Sequence, residues 1–396
     1  MLPQIKIADY TYALPDERIA RFPLEKRDNA KLLLYRGGEI EETVFATLPS
    51  LLPQKTLLVF NETKVIPARL LFRKDTGSII ELFCLEPMLP ADYEQCFAAT
   101  ETCDWKCVVG NFKRWKSNIP LKLLFGTHVL QAELLEKQEE CVSIRFRWSG
   151  GDSFAQVLDK CGATPIPPYL KRNAEESDTT RYQTVYARYR GSVAAPTAGL
   201  HFTENVLKEI EKRKIATTNI TLHVGAGTFR PVKSETISGH VMHEEPFSVT
   251  YEALQTILAH LGNIVAVGTT STRTLESLYF LGLQCLSGQE PKHVNQWEPY
   301  TTTSTVSAEE SLGALLNYMK KKNLHSLQAT TQVLLAPPYQ FKIVGGLVTN
   351  FHQPQSTLLL LISAFIGNDN WRKVYDYALC NNFRFLSYGD SSILLP

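Results

Sequence analysis

Four short segments of this chain concentrate side chains able to seat an anion or move a proton. The first, Gly268-Thr269-Thr270-Ser271-Thr272-Arg273, follows the apolar run Ile264 to Val267. A strand feeding a helix there leaves backbone N–H groups free, and the helix dipole favours an anion at that end. Thr269, Thr270 and Ser271 add hydroxyl donors, and Arg273 adds a fixed charge suited to carboxylate or phosphate. Plain capping by Ser271 is the alternative, although three hydroxyls exceed what one cap needs. The second segment runs from His223 to Pro231. Gly225 and Gly227, followed by Thr228 and Phe229, allow close approach to the backbone. His223 could transfer a proton near neutral pH. The spacing is not the dinucleotide fingerprint, and a tight turn around a core histidine would look the same.

The third segment, Ala195 to Phe202, is rich in small residues. Pro196, Thr197 and Gly199 leave room for a flat ring, with Phe202 or Tyr186 as a stacking surface; a structural turn is the alternative. In the fourth, Thr349 to Thr357, a strand again precedes a helix, with Ser356 as its cap. Asn350 and His352 could read the polar edge of a base.

Other chemistries fit less well. His240, His243 and Glu245 match no standard zinc spacing, Cys103-x-x-x-Cys107 has no partner pair, and no G-x-S-x-G elbow exists. No metal and no bound cofactor are expected. With 41 Lys plus Arg against 40 Asp plus Glu, net charge +1, the chain is no histone-like polycation, though a local basic groove is compatible with that balance. Eight scattered cysteines without a C-x-x-C pair read as free thiols in a reducing compartment. Met1 to Tyr12 carries no export-signal pattern, and the longest apolar run, Thr357 to Ile366, falls short of the roughly 20 residues of a membrane span. A cytoplasmic protein without membrane contact is expected, and a monomer.

The elements that must position these segments are legible in outline. At 396 residues the chain suggests two domains. From Arg69 to about Trp148, short alternating runs punctuated by Gly, Pro and Asn predict a small all-β barrel. Elsewhere strand-like runs alternate with helical ones, which predicts α/β layering. Thr56 to Phe60, Asn219 to Val224, Ile264 to Val267 and Leu347 to Phe351 read as strands. Helices are expected after Thr203, from about Thr272 to Leu281 and from Ser356 to Phe365. The expected architecture is an α/β body (1–69 and 151–396) with an inserted small all-β barrel domain (70–150). Residues 282–330 read as a surface excursion whose helix is opened by Ser307-x-x-Glu310, with Leu312, Leu315, Leu316 and Met319 on one face.

Taken together, the segments resemble the S-adenosylmethionine:tRNA ribosyltransferase-isomerase family of queuosine biosynthesis. The resemblance rests on FNETKVIPARL (60–70), YQTVYA (182–187), AAPTAGLHFT (194–203), TLHVGAGTFRPV (221–232), the H-x-M-H-x-E pattern at His240 to Glu245, VGTTSTRTLES (267–277), TNFHQPQSTLLLLISAF (349–365) and YGD (388–390), in the family's order. It implies transfer and isomerisation of the ribosyl group of S-adenosylmethionine, a substrate rather than a cofactor. The implied acceptor is 7-aminomethyl-7-deazaguanine in tRNA, and the product is epoxyqueuosine. The roles expected on that basis put Arg273 and the Thr269 to Ser271 turn on an anion. They put His223 or His201 on proton transfer, and Asn350 and His352 on base recognition. Glu62, Lys64, Pro338, Gly345 and Ser391-Ser392 depart from the family's pattern. A paralogue with another acceptor, or a non-catalytic RNA-binding relative, are the competing readings.

Overall fold

The structure, a computed structural model, describes residues 3–74, 76–115, 119–139, 141–225 and 234–396. Its body is built on a ten-stranded mixed sheet in the order His293–Val294, Ser326–Thr331, Glu245–Thr250, Ala216–Leu222, Leu57–Asn61, Ile264–Val267, Gly346–Asn350, Ser391–Leu395, Lys31–Arg36, Glu39–Val44. The four strands from Ala216–Leu222 to Gly346–Asn350 run parallel. Such strands are covered on both faces, which is why they read as unbroken apolar runs. Alternate residues divide between two cores. Leu57, Val59, Ile264 and Ala266 pack with Leu275 and Leu278 of helix Thr269–Leu286. Leu58, Phe60, Val265 and Val267 face Phe202 and helix Glu204–Lys212 through Val206 and Ile210. The Thr203 hydroxyl caps that last helix by accepting the Val206 N–H at 3.3 Å.

A second, antiparallel sheet follows the order Gly162–Ala163, Arg69–Arg73, Ile79–Leu89, Thr102–Gly110, Val142–Arg147, His128–Lys137, Leu121–Phe125. It has its own core around Trp105, Ile144, Phe146 and Phe154. Arg69–Arg73 comes against Leu121–Phe125, so the sheet curls. Those edges share no ladder, however, and helices Tyr93–Ala98 and Phe154–Cys161 pack with it. The expected small all-β barrel is therefore a curled, open half-barrel with helices attached.

Residues 282–330 are not a surface excursion. Two of their strands extend the main sheet, and helix Ala308–Lys321, capped by Ser307, buries Leu312, Leu315, Leu316 and Met319. It packs on helix Thr269–Leu286 at Gly282, where a Cβ would fall 2.1 Å from the Ser311 Oγ. The apolar face of that helix was legible in the sequence; the polar composition of the approach hid only that the segment is integral to the sheet and core.

Candidate active site

The four parallel strands end on one edge of the sheet, the place where α/β proteins carry their sites. There the chain presents Glu62 and Thr63 after Leu57–Asn61, His223 after Ala216–Leu222, Gly268 to Thr270 after Ile264–Val267, and Asn350 to His352 at the end of Gly346–Asn350. Asn61 ties three of these ends together. Its Nδ2 donates to the Leu222 carbonyl at 3.0 Å and to Thr270 Oγ1 at 3.5 Å, and its Oδ1 accepts the Leu222 and Thr63 N–H groups. Ala198 sits against Gly268, and Asn350 Nδ2 lies 3.2 Å from His201 Nε2. All four candidate segments therefore meet at this edge.

They do not share one cavity. A cleft of about 2120 Å³ opens between the curled sheet and the body. Tyr93, Phe97 and Lys106 form one wall; Glu62, Arg188, His223, Gly225 and His243 form the other. Of the residues expected from sequence, His223 and Gly225 line it. The His223 ring stacks on Tyr93 from the other lobe, with centroids 4.5 Å apart at 29°, and its Nδ1 is 3.0 Å from Thr63 Oγ1. Gly191 makes this possible, since a Cβ there would lie 2.5 Å from the imidazole. Burial lowers the His223 pKa to about 4, so the ring is neutral near pH 7.

Arg273 stands one layer behind the wall. It is ion-paired with Glu245, which is fully buried, and its Nε donates to the Val333 carbonyl at 3.1 Å. Glu245 Oε1 is 3.0 Å from His243 Nε2, and His243 reaches the cleft. Burial alone would raise the Glu245 pKa; Arg273, His243 and the Gly225 N–H outweigh it and hold it at about 2. The guanidinium is thus committed to a carboxylate of the protein, although its Nη2 has no hydrogen-bond partner among the described residues.

The other expected residues are placed away from the cleft lining. The helix starts at Thr269, and the Ser271 Oγ donates to the Val267 carbonyl at 2.8 Å instead of capping it. Thr269 and Ser271 are buried, and Thr270 meets Asn61. Phe202 is wholly enclosed, edge-on to Phe45 and Phe60, so it offers no face to a ligand. Pro196 and Gly199 are buried and Thr197 half-buried; Gly199 leaves room for Tyr186, whose hydroxyl a Cβ would meet at 2.0 Å. His201 lines a separate cavity of about 20 Å³ beside Arg27, Arg181 and Arg384, and burial lowers its pKa to about 4. Asn350 Nδ2 also donates to the Leu386 carbonyl at 3.1 Å. His352 contacts Thr349 Oγ1 through Nε2 at 2.9 Å, donates its N–H to the Tyr375 hydroxyl, and is lowered to about 4 by burial. Gly227, Thr228 and Phe229 lie outside the described residues.

Glu62, Tyr93, His243 and Glu245 were missed as site residues. The H-x-M-H-x-E pattern was the signal for the last two, whereas Tyr93 carried none, because its role depends on the meeting of two lobes. Among the described residues no group of three or more His, Cys, Asp or Glu could hold a metal ion, and no helix is long and apolar enough to cross a membrane.

An α/β body with an inter-lobe cleft at the carboxyl ends of its parallel strands here accompanies a family-wide sequence match. The profile of the family described as queuosine biosynthesis protein matches residues 7–394, and the chain belongs to that family. Its relatives include two proteins named S-adenosylmethionine:tRNA ribosyltransferase-isomerase. That of Caldanaerobacter subterraneus subsp. tengcongensis is 39% identical over 398 residues, spanning 99% of this chain and 100% of the relative. That of Trichlorobacter lovleyi is 37% identical over 394 residues, spanning 98% and 99%. A crystal structure of S-adenosylmethionine tRNA ribosyltransferase from Thermotoga maritima is 26% identical, with a TM-score of 0.47 and coverage of 98% and 100%.

Proposed function

We propose that this chain transfers and isomerises the ribosyl group of S-adenosylmethionine onto 7-aminomethyl-7-deazaguanine in tRNA, giving epoxyqueuosine and releasing adenine and methionine. The observation that carries this reading is the cleft, with two imidazoles, His223 and His243, in its body wall. The sulfonium acidifies the adjacent ribose carbon, so a base must stand beside it, and departing adenine needs a proton or hydrogen bonds. A neutral His223 can accept a proton, and His243, steadied by Glu245, supplies a second site of exchange. Carboxylates outnumber Lys and Arg seven to four among the cleft residues, which suits a cationic sulfonium. The size of the cleft accommodates a nucleoside together with a base turned out of its stack. Arg188, largely exposed on the wall, is the seat proposed for the methionine carboxylate in place of Arg273. Thr270, His201 and Asn350 act by holding the strand-end loops in register.

Apart from Glu62, the departures from the family pattern lie off the cleft lining, which favours an unchanged acceptor. Gly345 precedes strand Gly346–Asn350 and so lies at the opposite edge of the sheet. Ser391 and Ser392 are buried, each donating to the Thr349 carbonyl. Pro338 does not line the cleft, whereas Glu62 does. The test is incubation with S-adenosylmethionine and tRNA bearing 7-aminomethyl-7-deazaguanine, followed by mass analysis of the nucleosides. Epoxyqueuosine with equimolar adenine is expected. Adenine release without a change in that base would point to another acceptor, and no release of adenine would refute the reading.

A further inference from the structure

One carboxylate of the cleft is built for a ligand that brings its own N–H. Glu62 follows the central strand Leu57–Asn61, and its backbone is fixed on both sides: its N–H donates to the Ile220 carbonyl at 3.0 Å, and its carbonyl accepts the Arg188 N–H at 2.7 Å. The side chain is 10% exposed, yet Oε2 has no hydrogen-bond partner among the described residues. Its nearest cation, the Arg188 guanidinium, is 3.6 Å away, too long for a hydrogen bond, and that side chain is 70% exposed. A buried carboxylate oxygen left unpaired is costly, and an ammonium donor in the cleft would relieve that cost. A sulfonium centre has no N–H to give; the α-ammonium of S-adenosylmethionine and the aminomethyl ammonium of the acceptor both have one, and only the second must lose a proton in order to react.

We infer that Glu62 is the general base for the acceptor amine: it binds the protonated aminomethyl group of the 7-deazaguanine and takes one proton from it. The inference rests on the acceptor proposed above. In the step, an N–H bond of the ammonium breaks and an O–H bond forms at Glu62 Oε2. The carboxylate becomes a neutral acid, and the amine keeps the lone pair that forms the C–N bond to the ribosyl carbon, while the C–S bond there breaks and methionine leaves as a thioether with that electron pair. Burial raises the Glu62 pKa against the lowering influence of Arg188 and a hydrogen bond from Asn219, which narrows the gap between carboxylate and amine. The groups facing Glu62 are few. Arg188 belongs to the segment packed over it, Asn219 to the neighbouring strand, and His223 stands one hydrogen bond away through Thr63.

The experiment compares the full chain with Glu62→Gln and Glu62→Asp. It measures kcat from about pH 6 to about pH 9 with S-adenosylmethionine and the 7-aminomethyl-7-deazaguanine tRNA, and S-adenosylmethionine affinity by calorimetry. Glu62→Gln is expected to lower kcat about 100-fold near neutrality with S-adenosylmethionine affinity kept. Its deficit should shrink as pH rises, because solution then supplies free amine; a purely structural loss would not follow pH. Glu62→Asp, which keeps a carboxylate, should lose less and retain the wild-type pH profile. A Glu62→Gln variant with wild-type kcat at neutral pH, or with a deficit constant across the range, overturns the inference. Should Glu62→Gln fail to fold by thermal melting, Glu62→Asp decides: a wild-type profile supports the inference, and a steep rise with pH overturns it. An inactive wild type counts instead against the proposed reaction.

Discussion

Glu245 and Arg273 meet in an ion pair sealed from solvent, the carboxylate wholly buried and the guanidinium side chain 7% exposed. The pair joins strand Glu245–Thr250 to helix Thr269–Leu286, and through Glu245 it reaches His243 at the cleft. Removing one partner of such a pair leaves an uncompensated charge in the core. Arg273→Ala should therefore cost about 3–5 kcal/mol of stability as well as activity. A residue that touched substrate alone would instead lose turnover with the fold intact. Denaturant titration of the variant decides between the two, and an unchanged midpoint would show that the pair is dispensable to folding.

His223 and His243 give the contrasting case. Both reach the cleft, and replacing either with Ala removes the stack on Tyr93 or the bond to Glu245 but leaves the buried Glu245–Arg273 pair in place. Each variant should lose less stability than Arg273→Ala and stay folded, while kcat falls by about 100-fold or more. Steady-state kinetics on folded variants checks this. Full activity in both would remove the imidazoles from the chemistry.

Stability should fall on mild acidification. His201, His223 and His352 are each lowered to about 4 by burial. In the unfolded chain they titrate near 6.5, so between those values the unfolded state binds more protons and stability rises with pH. Glu245 acts lower: its folded value of about 2 gives stability that is present above the ordinary carboxylate range and lost as pH falls towards about 2. Urea midpoints at pH 7, 6 and 5 should decline in that order, and a flat series would mean that these rings are hydrated.

Two glycine substitutions should differ in sign. At Gly199 a Cβ would fall 2.0 Å from the Tyr186 hydroxyl and 2.8 Å from Thr184 Cγ2, so Gly199→Ala must displace Tyr186 and destabilise the protein. At Gly313, within helix Ala308–Lys321, a Cβ meets nothing within 4 Å, and Gly313→Ala should stabilise by about 0.5–1 kcal/mol. Parallel thermal melts read both; equal shifts would argue against the close packing at Gly199.

The local signals in the sequence were dependable where one element decides the outcome. The caps at Thr203, Ser307 and Ser356 are in place, because a hydroxyl three residues before a free N–H needs no tertiary partner. The central strand Ile264–Val267 is where its apolar run put it. What stayed hidden depends on direction and on distant partners. Thr269 to Ser271 have the composition of an anion seat, but the helix starts early enough to turn Ser271 back onto its own chain. Phe202 has the right chemistry for stacking on a ligand, yet Phe45 and Phe60 already enclose it. Arg273 looks like a free cation until Glu245 arrives on a neighbouring strand. Tyr93 could become part of the site only once the curled sheet folds back over His223.

Strand Ser391–Leu395 lies between Gly346–Asn350 and Lys31–Arg36, and among the described residues it alone pairs the early hairpin Lys31–Arg36 and Glu39–Val44 with the rest of the ten-stranded sheet. During synthesis, that hairpin leaves the ribosome roughly 360 residues before its missing neighbour, a separation that makes the closing step slow and non-local. Until then the hairpin's inner edge offers unpaired N–H and C=O groups to any passing strand. The nascent protein should for that reason depend on holdase chaperones far more than its finished form does.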